Sequence, residues 1–157
     1  MDRGGASKGA SAAWVSPLQG WGITAIRVIV GIVFVAHGGQ KLLESGFSGF
    51  AGNLEGQGVP IPLFFAVLVI LLEVGGGVAL IFGLFTRLFA VPLAINMLMA
   101  ALLVHFPNGF FSRDGGYEYT LVLMVACVAL ALSGPGKAAL DRVLAARSDA
   151  ALANLLR

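Results

Sequence analysis

Three polar side chains interrupt otherwise apolar runs: Arg27, Glu73 and Asn96. Inside hydrocarbon each charge costs about 2.5–3.5 kcal/mol on insertion scales, so such groups need partners and often mark sites of function. Their depths follow from helix rise. Arg27 lies six residues into the run Trp21 to Leu42, about 9 Å from its starting boundary. Glu73 lies twelve residues before Phe85, about 18 Å from the same boundary, and Asn96, nine residues beyond Arg87, lies at about 13 Å. An arginine side chain spans several of those ångströms. The spacing therefore predicts an Arg27–Glu73 ion pair, with Asn96 as a third member of one buried polar cluster. Such a cluster either locks two helices together or holds a proton or ligand.

A second polar group gathers at the opposite ends of the same runs: His37, Gln40, Lys41, His105, Tyr117 and Glu118. Lys41 and Glu118 have opposite charge at similar depth. The group reads either as an interfacial belt of amphipathic side chains or as a pocket lined by two histidines and a carboxylate. Two histidines can bind a metal or haem, but no third ligand is evident, so no metal site is assigned. Cys127 stands in apolar company and reads as inert packing. One cysteine excludes an internal disulfide and a dithiol mechanism within this chain.

The elements that must position these groups are membrane spans. The chain has 157 residues, 58% hydrophobic and only 11% charged, where soluble chains carry about 25% charged residues. A formal charge of +2, with no single basic patch, gives no reason to expect nucleic-acid binding. Four apolar runs follow one another: Trp21 to Leu42, about Ile61 to Phe85, Leu88 to Phe106 and about Tyr117 to Leu132. The first is too long for the apolar core of a signal peptide, about 7–15 residues. The first three are long enough for a core of about 30 Å. The fourth is short and needs local thinning or an early start near Gly115. The segments at 43–60 and 107–116 are glycine-rich and read as loops. The link between the second and third runs is nearly absent, which makes them an antiparallel hairpin.

The expected fold is all-α: a four-transmembrane-helix bundle with both termini cytoplasmic and a short C-terminal interfacial helix. Arg3, Lys8, Arg87, Lys137, Arg142, Arg147 and Arg157 then share one side, against Lys41 and Arg113 on the other, as the positive-inside rule requires. Residues 1–19 read as a mobile tail, 20–136 as the membrane domain and 137–157 as a cytoplasmic amphipathic tail. Gly31 and Gly38 on the first helix, and Gly76 and Gly77 on the second, are small residues that let backbones approach closely.

The run Arg27-Val-Ile-Val-Gly31, followed by His37-Gly38-Gly39-Gln40-Lys41-Leu42, resembles the opening signature of the DoxX family of small bacterial membrane proteins. Leu72-Glu73-Val-Gly75-Gly76-Gly77 and Leu80-Ile-Phe-Gly83-Leu84-Phe85-Thr86-Arg87 resemble its second-helix signature. Gly115-Gly116-Tyr117-Glu118-Tyr119 resembles the start of its fourth helix. Gly134-Pro-Gly136-Lys137-Ala-Ala-Leu140-Asp141 resembles its closing segment, with Ala139 where a serine is usual. The resemblance runs from about Arg27 to Asp141. It implies the bacterial inner membrane and an association with membrane-bound redox systems, since the family name comes from a subunit of a thiosulfate:quinone oxidoreductase. The function expected is that of a redox- or quinone-associated subunit of a larger membrane complex. A scaffolding subunit without chemistry is the alternative, and a small oligomeric transporter the third. No haem, flavin or iron–sulfur motif is recognisable, so any cofactor is expected to be a quinone or lipid. The partners expected are the bilayer and other membrane subunits, or further copies of this chain.

Overall fold

The computed structural model describes residues 17–146. Helix α1 spans Pro17–Gln40 and runs on as a π-helical turn over Lys41–Ser45. Gly46, at φ 63°, ends that turn, and the chain departs as helix α2, Gly46–Gly56. Helix α3 spans Pro62–Phe82 and carries a π-helical turn at Leu72–Gly76. Helix α4 spans Thr86–Ala100 and continues as a π-helical turn over Ala101–His105. Helix α5 spans Glu118–Ser133, and residues 140–146 begin a last helix. Among the described residues no strand occurs.

The membrane reading holds. Three helices are long and apolar enough to cross a bilayer, and α5 is a shorter apolar one. At 16 residues, α5 spans only about 24 Å. The outer surface is lined with Ile29, Leu68, Leu88, Val91, Leu102 and Val122, all exposed. Hydrophobic burial cannot order a bundle whose solvent is as apolar as its core. Small residues and polar contacts must do so.

The expected small-residue contact forms between α1 and α3. A Cβ built on Gly31 would stand 2.7 Å from the Gly77 carbonyl oxygen, and one on Gly77 would stand 2.8 Å from that of Gly31. Gly38 packs on Glu73 and Val74. Gly76 instead faces Leu93 and Phe89 on α4. Val30, Phe34, Leu80, Leu93, Met97, Leu123, Cys127 and Leu130 fill the centre.

One element departs from expectation. The segment at 43–60 is largely helix rather than loop. Its glycines are spaced within α2, which folds back onto the start of α3. Helix propensity alone would not hold it, since glycine costs about 1 kcal/mol relative to alanine. Packing against α3 does. Of the expected tails, 1–16 and 147–157 lie outside the described residues.

Candidate functional site

Arg27 and Glu73 are both almost wholly buried, each 1% exposed, yet they do not pair. Glu73 lies against Gly38, eleven residues beyond Arg27 on α1, which is about 16 Å along the axis. The register fixed where Gly31 meets Gly77 sets Arg27 against Leu80 and Gly83, and Glu73 against Gly38. The Arg27 guanidinium turns toward the first turns of α1 rather than toward mid-helix, because that is where its acceptors are.

Glu73 sits in the π turn of α3 and takes one donor on each oxygen. Lys41 Nζ lies 2.5 Å from Oε2, and Asn96 Nδ2 donates to Oε1 at 3.0 Å. Lys41 comes from the π turn that ends α1, and Asn96 from the middle of α4. Three helices are thus tied at one carboxylate. The Lys41 ammonium also stands 5.7 Å from the centre of the Phe50 ring on α2, a cation–π distance. The expected opposition of Lys41 and Glu118 does not form. Glu118 Oε1 accepts the Ser112 amide at 2.8 Å instead, closing the turn before α5.

Arg27 builds a second arrangement at the other end. Its Nη1 donates to the Leu80 carbonyl at 2.8 Å, and its Nη2 to the Ala138 carbonyl at 2.5 Å. Leu80 belongs to a Schellman motif. Leu84 N–H bonds Ala79 O and Gly83 N–H bonds Leu80 O, with Gly83 left-handed at φ 68°. Gly83 is also pressed against Arg27 itself, so a Cβ has no room there. Two residues later the chain enters α4, and the Asp141 carboxylate accepts the amides of Phe85 at 2.7 Å and Thr86 at 3.1 Å. A carboxylate at a helix N-terminus satisfies orphan donors and complements the helix dipole. Asp141 N–H returns a bond to Gly83 O at 3.0 Å. Gly136, at φ 79°, brings the closing segment against Thr24, whose Oγ1 accepts the Lys137 amide at 3.0 Å. The residues 134–141 thus form a clamp joining α1, α3 and α4.

At the far end, His37 Nε2 lies 3.4 Å from the Tyr119 hydroxyl, with ring centres 5.7 Å apart. His105 Nδ1 donates to the Gly115 carbonyl at 2.7 Å. A carbonyl can only accept, so Nδ1 carries a proton, and in the neutral imidazole Nε2 is then the acceptor. Tyr117 packs with Phe106 and Phe110, and Gln40 donates to Glu44 at 3.1 Å. A small recess of about 210 Å³ opens among His105, Ser112, Gly115, Gly116, Tyr119 and Thr120. Among the described residues no group of three or more metal-ligating side chains occurs.

The sequence reading omitted Asp141, Phe50 and the carbonyls of Leu80 and Ala138 as members of a site. Asp141 had a signal, because an acidic residue closes the Gly-Pro-Gly-Lys segment. Backbone acceptors have none.

Fold and site together define a multi-pass α-helical membrane protein held by buried polar ties. The chain belongs to the DoxX family, whose family model matches residues 22–106. It is 36% identical to the Escherichia coli inner membrane protein YqjF, over 81% of this chain and 95% of that one. It is 35% identical to the uncharacterized membrane protein Rv3486 of Mycobacterium tuberculosis, over 82% and 84%. It is 34% identical to Bacillus subtilis CatD, provisionally named an oxidoreductase, over 76% and 84%. No solved structure matches it.

Proposed function

We propose that this chain is a bacterial inner-membrane subunit, with both termini cytoplasmic, that serves a redox enzyme rather than catalysing alone. The recess beside His105 and Tyr119 would take the head group of a quinone or a comparable apolar small molecule. One observation carries the reading. His105, held by Gly115 through Nδ1 and with no partner on Nε2 among the described residues, lines one recess with Tyr119, whose hydroxyl lies against His37. An acceptor and a phenolic hydroxyl beside a small, largely apolar recess suit a ring bearing hydroxyl or carbonyl groups. The name of the Bacillus relative points the same way. Electrons would come from a partner subunit.

Purification in mild detergent, followed by solvent extraction and chromatography, tests it. A quinone that co-purifies with the wild-type chain and is lost in His105→Ala supports the reading. The scaffold alternative draws on Arg27, whose two Nη atoms donate to backbone carbonyls of α3 and of the closing segment and so tie helices together. A stoichiometric protein partner with no extractable small molecule would favour that alternative.

A further inference from the structure

The Lys41–Glu73–Asn96 cluster is independent of the recess and of whatever fills it. We propose that Glu73 is an exchangeable proton-binding site whose resting counter-ion is the tethered ammonium of Lys41, released toward Glu44 when the carboxylate takes a proton.

Three observations carry this. First, the cluster is asymmetric in access. The Glu73 side chain is 2% exposed, whereas that of Lys41 is 27% exposed. The cation is the member that touches the exterior, at the end of a flexible four-carbon stem. Second, another carboxylate belongs to the same π-helical turn. Glu44 lies three residues after Lys41, is exposed, and accepts the neutral Gln40 amide, with no cation on it among the described residues. The Phe50 ring offers a surface over which the ammonium can pass. Third, Asn96 fits both states. Its amide donates to the ionised carboxylate as observed, and its carbonyl oxygen can accept from the acid once the amide turns over.

The charge balance favours two states and disfavours those between. With Lys41 on Glu73, the buried cluster is a neutral ion pair. With Lys41 outside and a proton on Glu73, the buried group is a neutral acid. An unpaired carboxylate in hydrocarbon is the expensive state. Departure of the ammonium is therefore tied to arrival of a proton. Hydronium gives its proton to a Glu73 oxygen and leaves as water; no bond to carbon changes and nothing is oxidised.

Few other charges surround the cluster among the described residues; α2, which packs beside the Lys41 turn, carries the exposed Glu55. From α1, Lys41 faces Glu73, and His37 is one turn below it but turned to Tyr119. From α4, Asn96 faces it, while that helix's charged or titratable groups, Arg87 and His105, bond Leu132 O and Gly115 O. Glu73 is the one charged residue of α3.

An apolar carbodiimide, dicyclohexylcarbodiimide, reads protonation directly, because it modifies carboxylic acids and not carboxylates. The full-length protein, monodisperse in detergent, is treated between about pH 5 and pH 9 and the modified residue is located by mass spectrometry. Glu73 labelling in the wild type should rise as pH is lowered, by about tenfold per unit above its transition, and level off below it. Lys41→Met should label at the upper end of that range, where the wild type does not. Glu44→Gln should need a lower pH than the wild type. Wild-type Glu73 that stays unlabelled throughout while Lys41→Met reacts would show a permanent pair and overturn the proposal. Labelling without pH dependence, an unreactive Lys41→Met, or a Glu44→Gln profile matching the wild type would each overturn it as well. None of these outcomes depends on a quinone in the recess.

Discussion

The guanidinium of Arg27 ends on the carbonyl of Ala138, 111 residues further along the chain. That bond joins the first helix to the closing segment, while a second bond from the same group reaches Leu80 on α3. A cation in a membrane interior normally seeks a carboxylate. Here helix-end and loop carbonyls take the charge, with Asp141 the acidic group whose field reaches it. The Nε donor is left without a partner among the described residues.

Removing that bridge should release the clamp before it unfolds the bundle. Arg27→Met loses two charge-assisted hydrogen bonds, each worth about 1.5–3 kcal/mol. Hydrogen exchange at residues 134–141 should accelerate by at least about tenfold, the equivalent of 1.4 kcal/mol. Unchanged protection there would contradict the role given to Arg27.

Asp141 should behave as a helix cap supplied from a distance. Asp141→Ala leaves the amides of Phe85 and Thr86 without their acceptor and should cost about 0.5–2 kcal/mol. Asp141→Asn keeps one acceptor oxygen and should retain part of it. Thermal unfolding in detergent measures both, and equal losses would argue against capping.

The glycine contact between α1 and α3 should tolerate no side chain. Gly31→Ala places a methyl 2.7 Å from Gly77 O and should destabilise by about 1–3 kcal/mol. Gly39→Ala, on the same helix with open space around it, serves as the control and should be neutral or slightly stabilising. A similar loss in both would place the effect in the helix rather than in the contact.

The Lys41–Glu73 pair should be non-additive. Lys41→Met leaves Glu73 as an acid without its cation, and Glu73→Gln leaves the ammonium without its anion; each removes a largely buried ion pair and should be destabilising. The double variant leaves no unpaired charge and should recover much of that loss. Simple addition of the two single losses would mean that the residues act separately.

The sequence alone determined the class. Apolar runs of span length, an 11% charged content and four ordered motifs are local or compositional facts, and they survive any rearrangement of the helices. They also placed Glu73 beside Asn96 and the glycines of α1 against those of α3, because helix rise sets relative depth along each span. Tertiary structure decided which cation met the carboxylate. Arg27 and Lys41 were both available, and the choice depended on the register at Gly31 and Gly77, which no single run encodes. It also decided where Arg27 would go, since its acceptors are main-chain carbonyls that every residue possesses and no side-chain pattern marks. The glycines of α2 look like a loop in isolation. Their helix exists because α3 lies against it, and packing is a property of two segments together.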